Sequence, residues 1–184
     1  MTFKRIFAFL NGTGIPYVLI GGIASGILGE PRATDDVDLL VFLPADALDR
    51  LLGKARKAGA RFNAKRAREF VKRKRFLRLG LWGTDVDFLV ADSIYEFEVL
   101  SRRKMTVLEG VPVPMPTPED LILLKLWAGR PIDIQDAKAV EVRHGSHLDW
   151  KYLNDRSRRL KAQRGGGHVY SALKKLARMR YRED

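Results

Sequence analysis

The fold is decided by two nearby stretches of sequence, Ile20-Gly21-Gly22-Ile23-Ala24-Ser25 and Thr34-Asp35-Asp36-Val37-Asp38-Leu39-Leu40. The first follows a brief β-branched and aromatic run and continues with apolar residues at a period near 3.6. The second is an apolar run opened by acidic residues. Together they predict a strand, a glycine turn, a short helix and a second strand.

Outward from these stretches, turn signals and apolar periodicity predict the remaining elements. Two strand-like segments, 75–81 and 85–90, flank Trp82-Gly83-Thr84 and predict a hairpin, and 105–108 with 111–115 predict a second one. From Thr117, an N-cap followed by Pro118, the pattern becomes helical, over 118–128, 133–142, 148–162 and 169–180. We therefore expect an α/β (α+β) core over residues 1–116 and a helical region over 117–184, packed as one compact unit.

The composition excludes several classes of protein. The chain has 184 residues, 30% of them charged and 46% hydrophobic, and no cysteine. Disulfide frameworks, thiolate metal sites and cysteine nucleophiles are thus excluded. No window approaches the roughly 18 consecutive apolar residues of a membrane-spanning helix, and the N-terminal residues lack a signal-peptide pattern, so a cytoplasmic location is expected.

The net charge of +12 is unevenly distributed along the chain. Residues 54–78 contain twelve basic residues against one acidic residue, and residues 151–184 contain eleven against three. The first block is too densely basic to be an ordinary helix face. It is either a solvated basic surface or a site that binds the phosphate backbone of a nucleic acid such as RNA, centred on Lys72, Arg73, Lys74 and Arg75. The second block either binds phosphates in the same way or binds an acidic partner protein.

Asp36 and Asp38 are two residues apart on the second predicted strand. A strand has a period of two, so both carboxylates point to the same face. Such close negative charges repel each other unless a proton or a cation lies between them, and hard divalent cations prefer these oxygen ligands. The alternative is that Asp35, Asp36 and Asp38 are ordinary turn and edge-strand residues.

A third carboxylate comes from the strand 85–90, which repeats the pattern of an acid among apolar residues. Of its two aspartates we favour Asp87, whose neighbours Val86 and Phe88 resemble those of Asp38. Asp85 is then the solvent-side residue at the hairpin turn. Three acids at one place predict a site for two cations, which suits in-line phosphoryl transfer.

The glycines at 21 and 22 open the helix that precedes the acidic strand. Backbone N–H groups at a helix N-terminus are available to phosphate oxygens, and Ser25 adds a hydroxyl one turn later. A pair of glycines by itself is more often only a tight turn. Its combination with the aspartates at 36 and 38 makes the pattern specific.

These motifs resemble the nucleotidyltransferase superfamily of DNA polymerase beta type, whose signature is an apolar residue, Gly-Gly or Gly-Ser, and then Asp-apolar-Asp-apolar. Within it, Gly21 to Ser25 followed by Arg32 to Leu39 is most similar to the small prokaryotic branch with abortive-infection and toxin–antitoxin nucleotidyltransferases. That branch also has a Pro-Glu-Asp-Leu-Ile helix with a Lys, then an Arg and spaced Asp residues, as in Pro118–Ile122 and the residues after it. The resemblance spans about residues 15 to 155.

The resemblance implies a role for each matching residue. Asp36, Asp38 and Asp87 would be the catalytic carboxylates and would bind two Mg²⁺ or Mn²⁺ ions. The nucleoside triphosphate would be held by Gly21, Gly22, Ser25, Arg32, Thr34 and Lys125. Supporting positions would be Arg130, Asp133 and Asp136. For Lys125 a structural ion pair with Asp133 or Asp136 is the alternative, because a buried lysine needs a charged partner.

The resemblance thus implies a magnesium-dependent transferase that moves a nucleotidyl group from an NTP, such as ATP, to a hydroxyl. We expect the acceptor to be RNA, such as tRNA, or a protein, with the enzyme as one component of a toxin–antitoxin pair. The alternative is a non-catalytic nucleotide- or nucleic-acid-binding regulator on the same fold. Catalysis in the first case would rest on positioning and charge neutralisation rather than on a covalent intermediate.

Overall fold

The structure is a computed structural model that describes residues 2–163 and 165–180. Two compact units are present, one formed by Met1–Ile23 with Ala33–Pro116 and the other by Ala24–Arg32 with Thr117–Asp184. Part of the C-terminal basic block, Arg164 and residues 181–184, lies outside the described residues. Within the described ranges no helix is both long enough and apolar enough to cross a membrane.

The first unit contains a mixture of strands and helices, as the sequence predicts. A helix that begins in this unit and continues into the second, α2 (Gly21–Leu28), follows the first strand. The other elements are α1 (Thr2–Thr13), β1 (Tyr17–Ile20), β2 (Asp36–Val41), α3 (Ala45–Lys57), α4 (Ala64–Lys74), β3 (Phe76–Leu81), β4 (Thr84–Val90), α5 (Ile94–Arg102), β5 (Lys104–Leu108) and β6 (Val111–Met115).

Four of these strands form one mixed sheet in the order β1-β2-β4-β3. β2 pairs antiparallel with β1 and parallel with β4, and β3 pairs antiparallel with β4. The register places Ile20 beside Asp38 and Asp38 beside Asp87. Val37, Leu39 and Leu40 are fully buried, since β2 lies inside the sheet and contributes its apolar side chains to the core. β5 and β6 form the second predicted hairpin as a separate two-stranded sheet.

The hairpin between β3 and β4 turns on two residues, Trp82 and Gly83. Both have positive φ, 52° and 85°, as a type I′ turn requires. This turn matches the right-handed twist of the two strands and sets their register: Leu81 pairs with Thr84, and Arg78 with Asp87. The predicted hairpin is therefore confirmed, with a turn one residue shorter than expected.

The basic segment after α3 differs from its prediction, because most of it is a regular helix, α4. The Asn63 side chain caps this helix by accepting a hydrogen bond from the Arg66 backbone N–H. Lysine and arginine are good helix formers, and only Ala67 of α4 is buried. The density of charge is tolerated because the basic side chains of this helix extend into solvent.

The second unit is helical, with α6 (Pro118–Ala128) in contact with three other helices, α7 (Pro131–His144), α8 (Trp150–Leu160) and α9 (Val169–Arg180). Thr117 caps α6 by accepting from the Asp120 backbone N–H, and Gly129 ends it at φ 70°. The predicted N-cap at Thr117 is thus confirmed. Because α6 is packed on several sides, Leu121, Ile122, Leu123 and Leu126 are all fully buried.

Candidate active site

The sheet of the first unit brings three carboxylates together. Asp36 and Asp38 lie on β2, and Asp87 lies directly beside Asp38 on β4. One oxygen from each of the three lies within 4.8 Å of the others. Asp87 is buried, whereas Asp36 and Asp38 are half-buried and accessible. Asp85 is exposed and is not part of this cluster.

This donor set fits a divalent cation of the magnesium type. Mg²⁺ and Mn²⁺ bind carboxylate oxygens, and a group of three acids within one ligand sphere compensates the charge of such ions. The cluster borders an open groove of about 530 Å³, lined by Asp35, Asp36, Arg78, Gly83 and Asp85. A solvent-accessible face next to the acids is what a metal-dependent site for a polar substrate needs.

Only glycine fits at position 21, because the backbone there lies against the Asp38 side chain. Its φ is +68°, and a β-carbon built at this position would overlap the Asp38 carboxylate. Gly22, the next residue, is buried in the first turn of α2. The predicted glycine pair therefore does more than turn the chain, because it makes room for one of the three carboxylates.

Thr34 contacts a carboxylate as well. Its hydroxyl Oγ1 donates a hydrogen bond of 2.9 Å to Oδ1 of Asp36. The hydroxyl thereby orients Asp36 from the loop before β2. Ser25 lies one turn into α2, and its side chain is almost completely buried, with 1% exposed.

Sequence reasoning missed a basic residue at this site, Arg78 on β3. Its Nε and Nη2 atoms donate hydrogen bonds of 2.6 Å and 2.5 Å to the two carboxylate oxygens of Asp87. Its Nη1 atom lies 3.4 Å from Oδ2 of Asp85. These hydrogen bonds with Asp87, together with the charges of Asp87, Asp85 and Asp36, raise the pKa of Arg78 above its ordinary value. Arg78 thus partly neutralises the acidic cluster.

The sequence did contain a signal for Arg78. A two-residue turn at Trp82 and Gly83 forces residues that lie equally far from the turn to pair, which sets Arg78 opposite Asp87. The predicted turn of three residues, Trp82-Gly83-Thr84, would shift that register by one. The pairing of Arg78 with Asp87 could therefore be predicted from the sequence only if the two-residue turn was recognised first.

The chain matches the model of a family described as a nucleotidyl transferase of unknown function (DUF2204) over residues 2–176. The chain belongs to this family. The match covers nearly all of the sequence and confirms the resemblance to nucleotidyltransferases. No curated protein sequence matches the chain significantly.

Solved structures of a nucleotidyltransferase share the fold of this family member. A solution structure of the antibiotic-resistance factor ANT(2'')-Ia matches with a TM-score of 0.56 at 14% identity, over 99% of this chain and 95% of the other. A crystal structure of ANT(2'')-Ia in complex with adenylyl-2''-tobramycin matches with a TM-score of 0.54 at 19% identity, over 85% of this chain and 96% of the other. At these identities the likeness establishes the nucleotidyltransferase fold.

In the second unit of this nucleotidyl transferase family member, Lys125 lies within a chain of ion pairs. Its Nζ atom is 2.7 Å from Oδ2 of Asp136 and 3.2 Å from Oδ1 of Asp133, and its side chain is 5% exposed. Arg32 pairs with Asp136 at 3.1 Å, and Arg130 with Asp133 at 2.5 Å. The structural ion pair considered for Lys125 is therefore present, with both aspartates.

Burial and the neighbouring positive charges shift the pKa values of the two aspartates of this network in opposite directions. Burial by itself would raise the pKa of Asp133, but hydrogen bonds from Arg130 and Lys125 and their charges outweigh it. The same holds for Asp136 with Lys125 and Arg32. The pKa of each carboxyl is therefore lower than its ordinary value, and both are ionised at neutral pH.

The four predicted acceptor-binding residues at the end of α4 fall into two groups. Lys72, Arg73 and Lys74 are exposed in the last turn of the helix. Arg75 is the left-handed C-cap, with φ 54°, and its Nη1 atom bonds to the Val90 carbonyl and to the carboxylates of Asp92 and Glu96. Glu96 is buried, so Arg75 holds the start of α5 rather than facing solvent freely.

Proposed function

We propose that the protein is a divalent-metal-dependent nucleotidyltransferase that moves a nucleotidyl group from a nucleoside triphosphate to a hydroxyl of an acceptor. The observation that carries the proposal is the cluster of Asp36, Asp38 and Asp87, with one oxygen of each within 4.8 Å of the others. This cluster lies on a nucleotidyltransferase fold in a chain of a nucleotidyl transferase family. An enzyme needs such a site, whereas a regulator on the same fold does not.

Each carboxylate has a role in this proposal. Asp36 and Asp38 would hold two Mg²⁺ or Mn²⁺ ions, and Asp87 would complete the site and polarise the acceptor hydroxyl. The ions would neutralise the negative charge of the attacking and leaving oxygens. Thr34 keeps Asp36 oriented, and Gly21 leaves the space that Asp38 occupies.

The triphosphate-binding residues are also part of the proposal. The backbone N–H groups of Gly21 and Gly22 begin α2, where a helix N-terminus favours phosphate oxygens. In the second unit, Ser25, Arg32 and Lys125 are proposed to contribute to nucleotide binding, supported by Arg130, Asp133 and Asp136. Arg32 suits contact with phosphate best, since a third of its side chain is exposed.

For the acceptor we propose a polyanion such as tRNA or another RNA. Lys72, Arg73 and Lys74 support this, because three exposed cations in succession attract phosphates without sequence preference. Arg78 on β3 is three residues after Arg75, the C-cap of α4, and three residues of chain span at most about 10 Å. An acceptor strand on this surface is thus within reach of the carboxylates. A role in a toxin–antitoxin pair in the cytoplasm remains part of this proposal.

The test is transfer of label from each of the four α-³²P-labelled NTPs, with Mg²⁺ or Mn²⁺, to a panel of acceptors. The panel contains total tRNA, a protein mixture and tobramycin, the last because ANT(2'')-Ia was solved in complex with adenylyl-2''-tobramycin. We expect transfer to RNA by the wild type and at least about a hundredfold less by Asp36→Asn and Asp87→Asn.

Asp46→Asn is the matched control, since Asp46 is an exposed acid on α3 whose side chain forms an ion pair with the exposed Arg50. It should retain full activity. Transfer that survives in both Asp36→Asn and Asp87→Asn would contradict the assignment of the carboxylate cluster as the site of transfer. No transfer to any acceptor would contradict the enzyme proposal and favour the binding regulator. Transfer to tobramycin or to protein alone would retain the enzyme and replace the acceptor.

A further inference from the structure

Arg78 and Asp87 form a bidentate ion pair at the edge of the carboxylate cluster. The guanidinium donates to both oxygens of Asp87, at 2.6 Å and 2.5 Å. The Asp87 side chain is 9% exposed, whereas that of Arg78 is 51% exposed. One partner is therefore fixed in the sheet, and the other is a long side chain with room to move.

We infer that Arg78 is a positioning residue that competes with a divalent cation for the carboxylate of Asp87. The inference rests on the proposed function, because it takes the three carboxylates to be the cation site. It goes further in assigning a role to a residue outside the nucleotidyltransferase motifs. Arg78 would hold Asp87 in place and set how tightly the site binds a cation.

The competition follows from charge and from shared atoms. A cation at the cluster needs oxygen from Asp87, and both Asp87 oxygens already accept a hydrogen bond from Arg78. A guanidinium and a metal ion on one carboxylate also repel each other in a partly dry site. Cation binding is therefore weaker than three carboxylates alone would give, and it favours a shift of Arg78 away from Asp87.

Asp85 provides a place for the shifted guanidinium. Its Oδ2 atom is already 3.4 Å from Nη1 of Arg78, and its side chain is 51% exposed. Because Asp85 lies two residues before Asp87 on β4, both carboxylates are on the same side of the strand. A small rotation of the Arg78 side chain can thus exchange one carboxylate for the other without leaving the guanidinium unpaired.

The test is the affinity of the purified full chain for Mn²⁺ alone, followed by the electron paramagnetic resonance signal of free Mn²⁺. We expect Arg78→Gln to bind Mn²⁺ about tenfold more tightly than the wild type, since both Asp87 oxygens are released from their charge-assisted hydrogen bonds to the guanidinium. Arg78→Lys keeps the charge but loses the bidentate contact, so its affinity for Mn²⁺ should lie between those of the wild type and Arg78→Gln. Arg50→Gln, which removes an exposed arginine on α3 from its pair with Asp46, should bind like the wild type.

A double-mutant cycle separates competition at Asp87 from a general effect of charge. In an Asp87→Asn background, Arg78→Gln should change Mn²⁺ affinity by less than about twofold, since the shared carboxylate is gone. An equal tightening in both backgrounds would overturn the inference. So would unchanged or weaker Mn²⁺ binding by both Arg78→Gln and Arg78→Lys, measured on protein with wild-type circular dichroism.

The same titration distinguishes failure of this inference from failure of the proposed function. If neither the wild type nor Arg78→Gln binds Mn²⁺, the cation site itself is wrong, and both proposals fall. If the wild type binds Mn²⁺, Asp36→Asn does not, and the Arg78 variants bind no more tightly, only the competition is wrong. Arg78→Lys covers the case in which Arg78→Gln does not fold.

Discussion

Gly21 and Asp38 are in such close contact that no side chain fits at position 21, because a β-carbon there would overlap the Asp38 carboxylate. The strand pairing explains the contact, since Ile20 is the register partner of Asp38 and Gly21 is the next residue of the chain. The glycine at the start of α2 and the second aspartate of β2 are therefore one structural feature. Changes to either affect the other.

Gly21→Ala should disable the carboxylate cluster. The substitution forces an alanine into positive φ, at a cost of about 1–2 kcal/mol, and displaces Asp38. We expect Mn²⁺ affinity to fall at least about tenfold and the melting temperature to decrease, measured by titration and by circular dichroism. Gly14→Ala is the matched control, because Gly14 has φ +72° and nothing within 4 Å of a built β-carbon. Equal Mn²⁺ affinity in the two variants would show that the Asp38 contact does not matter.

Removal of the three exposed cations at the end of α4 should weaken acceptor binding alone. Changing Lys72, Arg73 and Lys74 to glutamine should raise the KM for RNA about tenfold and leave the KM for NTP within about twofold. The slope of log K for RNA binding, plotted against the logarithm of the salt concentration, should become less steep by about two units if three phosphate contacts are lost. A triple glutamine variant of Lys4, Arg50 and Lys104, exposed basic residues of the same unit outside that block, matches the change in charge. Equal KM increases in the two triple variants would contradict a located acceptor site.

Arg75 should behave differently from its three neighbours, because it is a structural residue. Arg75→Met removes a cation that contacts the buried Glu96 carboxylate, which should lower the free energy of unfolding by about 1–2 kcal/mol. Arg73→Met, an exposed position in the same basic run, should change it by less than about 0.5 kcal/mol. Urea unfolding of both variants measures the difference. A stability equal to that of the wild type in Arg75→Met would argue against this structural role.

Lys125→Met should destabilise the protein strongly. It leaves Asp133 and Asp136 buried without their shared ammonium group, which costs about 3 kcal/mol even though Arg130 and Arg32 remain. Lys175→Met, at an exposed position on α9, should cost little. Adding Asp136→Asn to Lys125→Met should restore part of the free energy of unfolding, since one unpaired charge is removed. Unfolding in urea would contradict the network if Lys125→Met and Lys175→Met had the same midpoint.

The same network should make stability fall at acidic pH. The folded pKa values of Asp133 and Asp136 lie below the ordinary value of about 3.9 that applies to the unfolded chain. Their contribution to the free energy of unfolding is thus fully present above that value and is lost as the pH falls through the folded pKa values. Urea unfolding between pH 7 and pH 3 should show a smaller loss for Asp136→Asn than for the wild type. Asp155→Asn, at an exposed position on α8, should follow the wild type.

Much of the fold was predictable because its signals are local. The strand before Gly21, the helix capped by Thr117 and the small hairpin of β5 and β6 each depend on residues within a few positions of each other. α4 was the exception, because twelve basic residues in the block from 54 to 78 obscured the Asn63 cap. Helix formation there depends on the cap and on good intrinsic propensity, which charge density does not reveal.

The sequence by itself determined which three carboxylates form the cluster. The period of two on a strand places Asp36 and Asp38 on the same face, and the neighbours of Asp87 resemble those of Asp38. It did not determine the partners of the basic residues, beyond offering Asp133 or Asp136 as candidates for Lys125. Arg78 meets Asp87 through the register of a two-residue turn, Arg75 reaches Glu96 from a left-handed cap, and Lys125 lies between two aspartates where α6 packs on α7. Long side chains can reach several acids, and only strand register and helix packing decide which one lies close enough to pair.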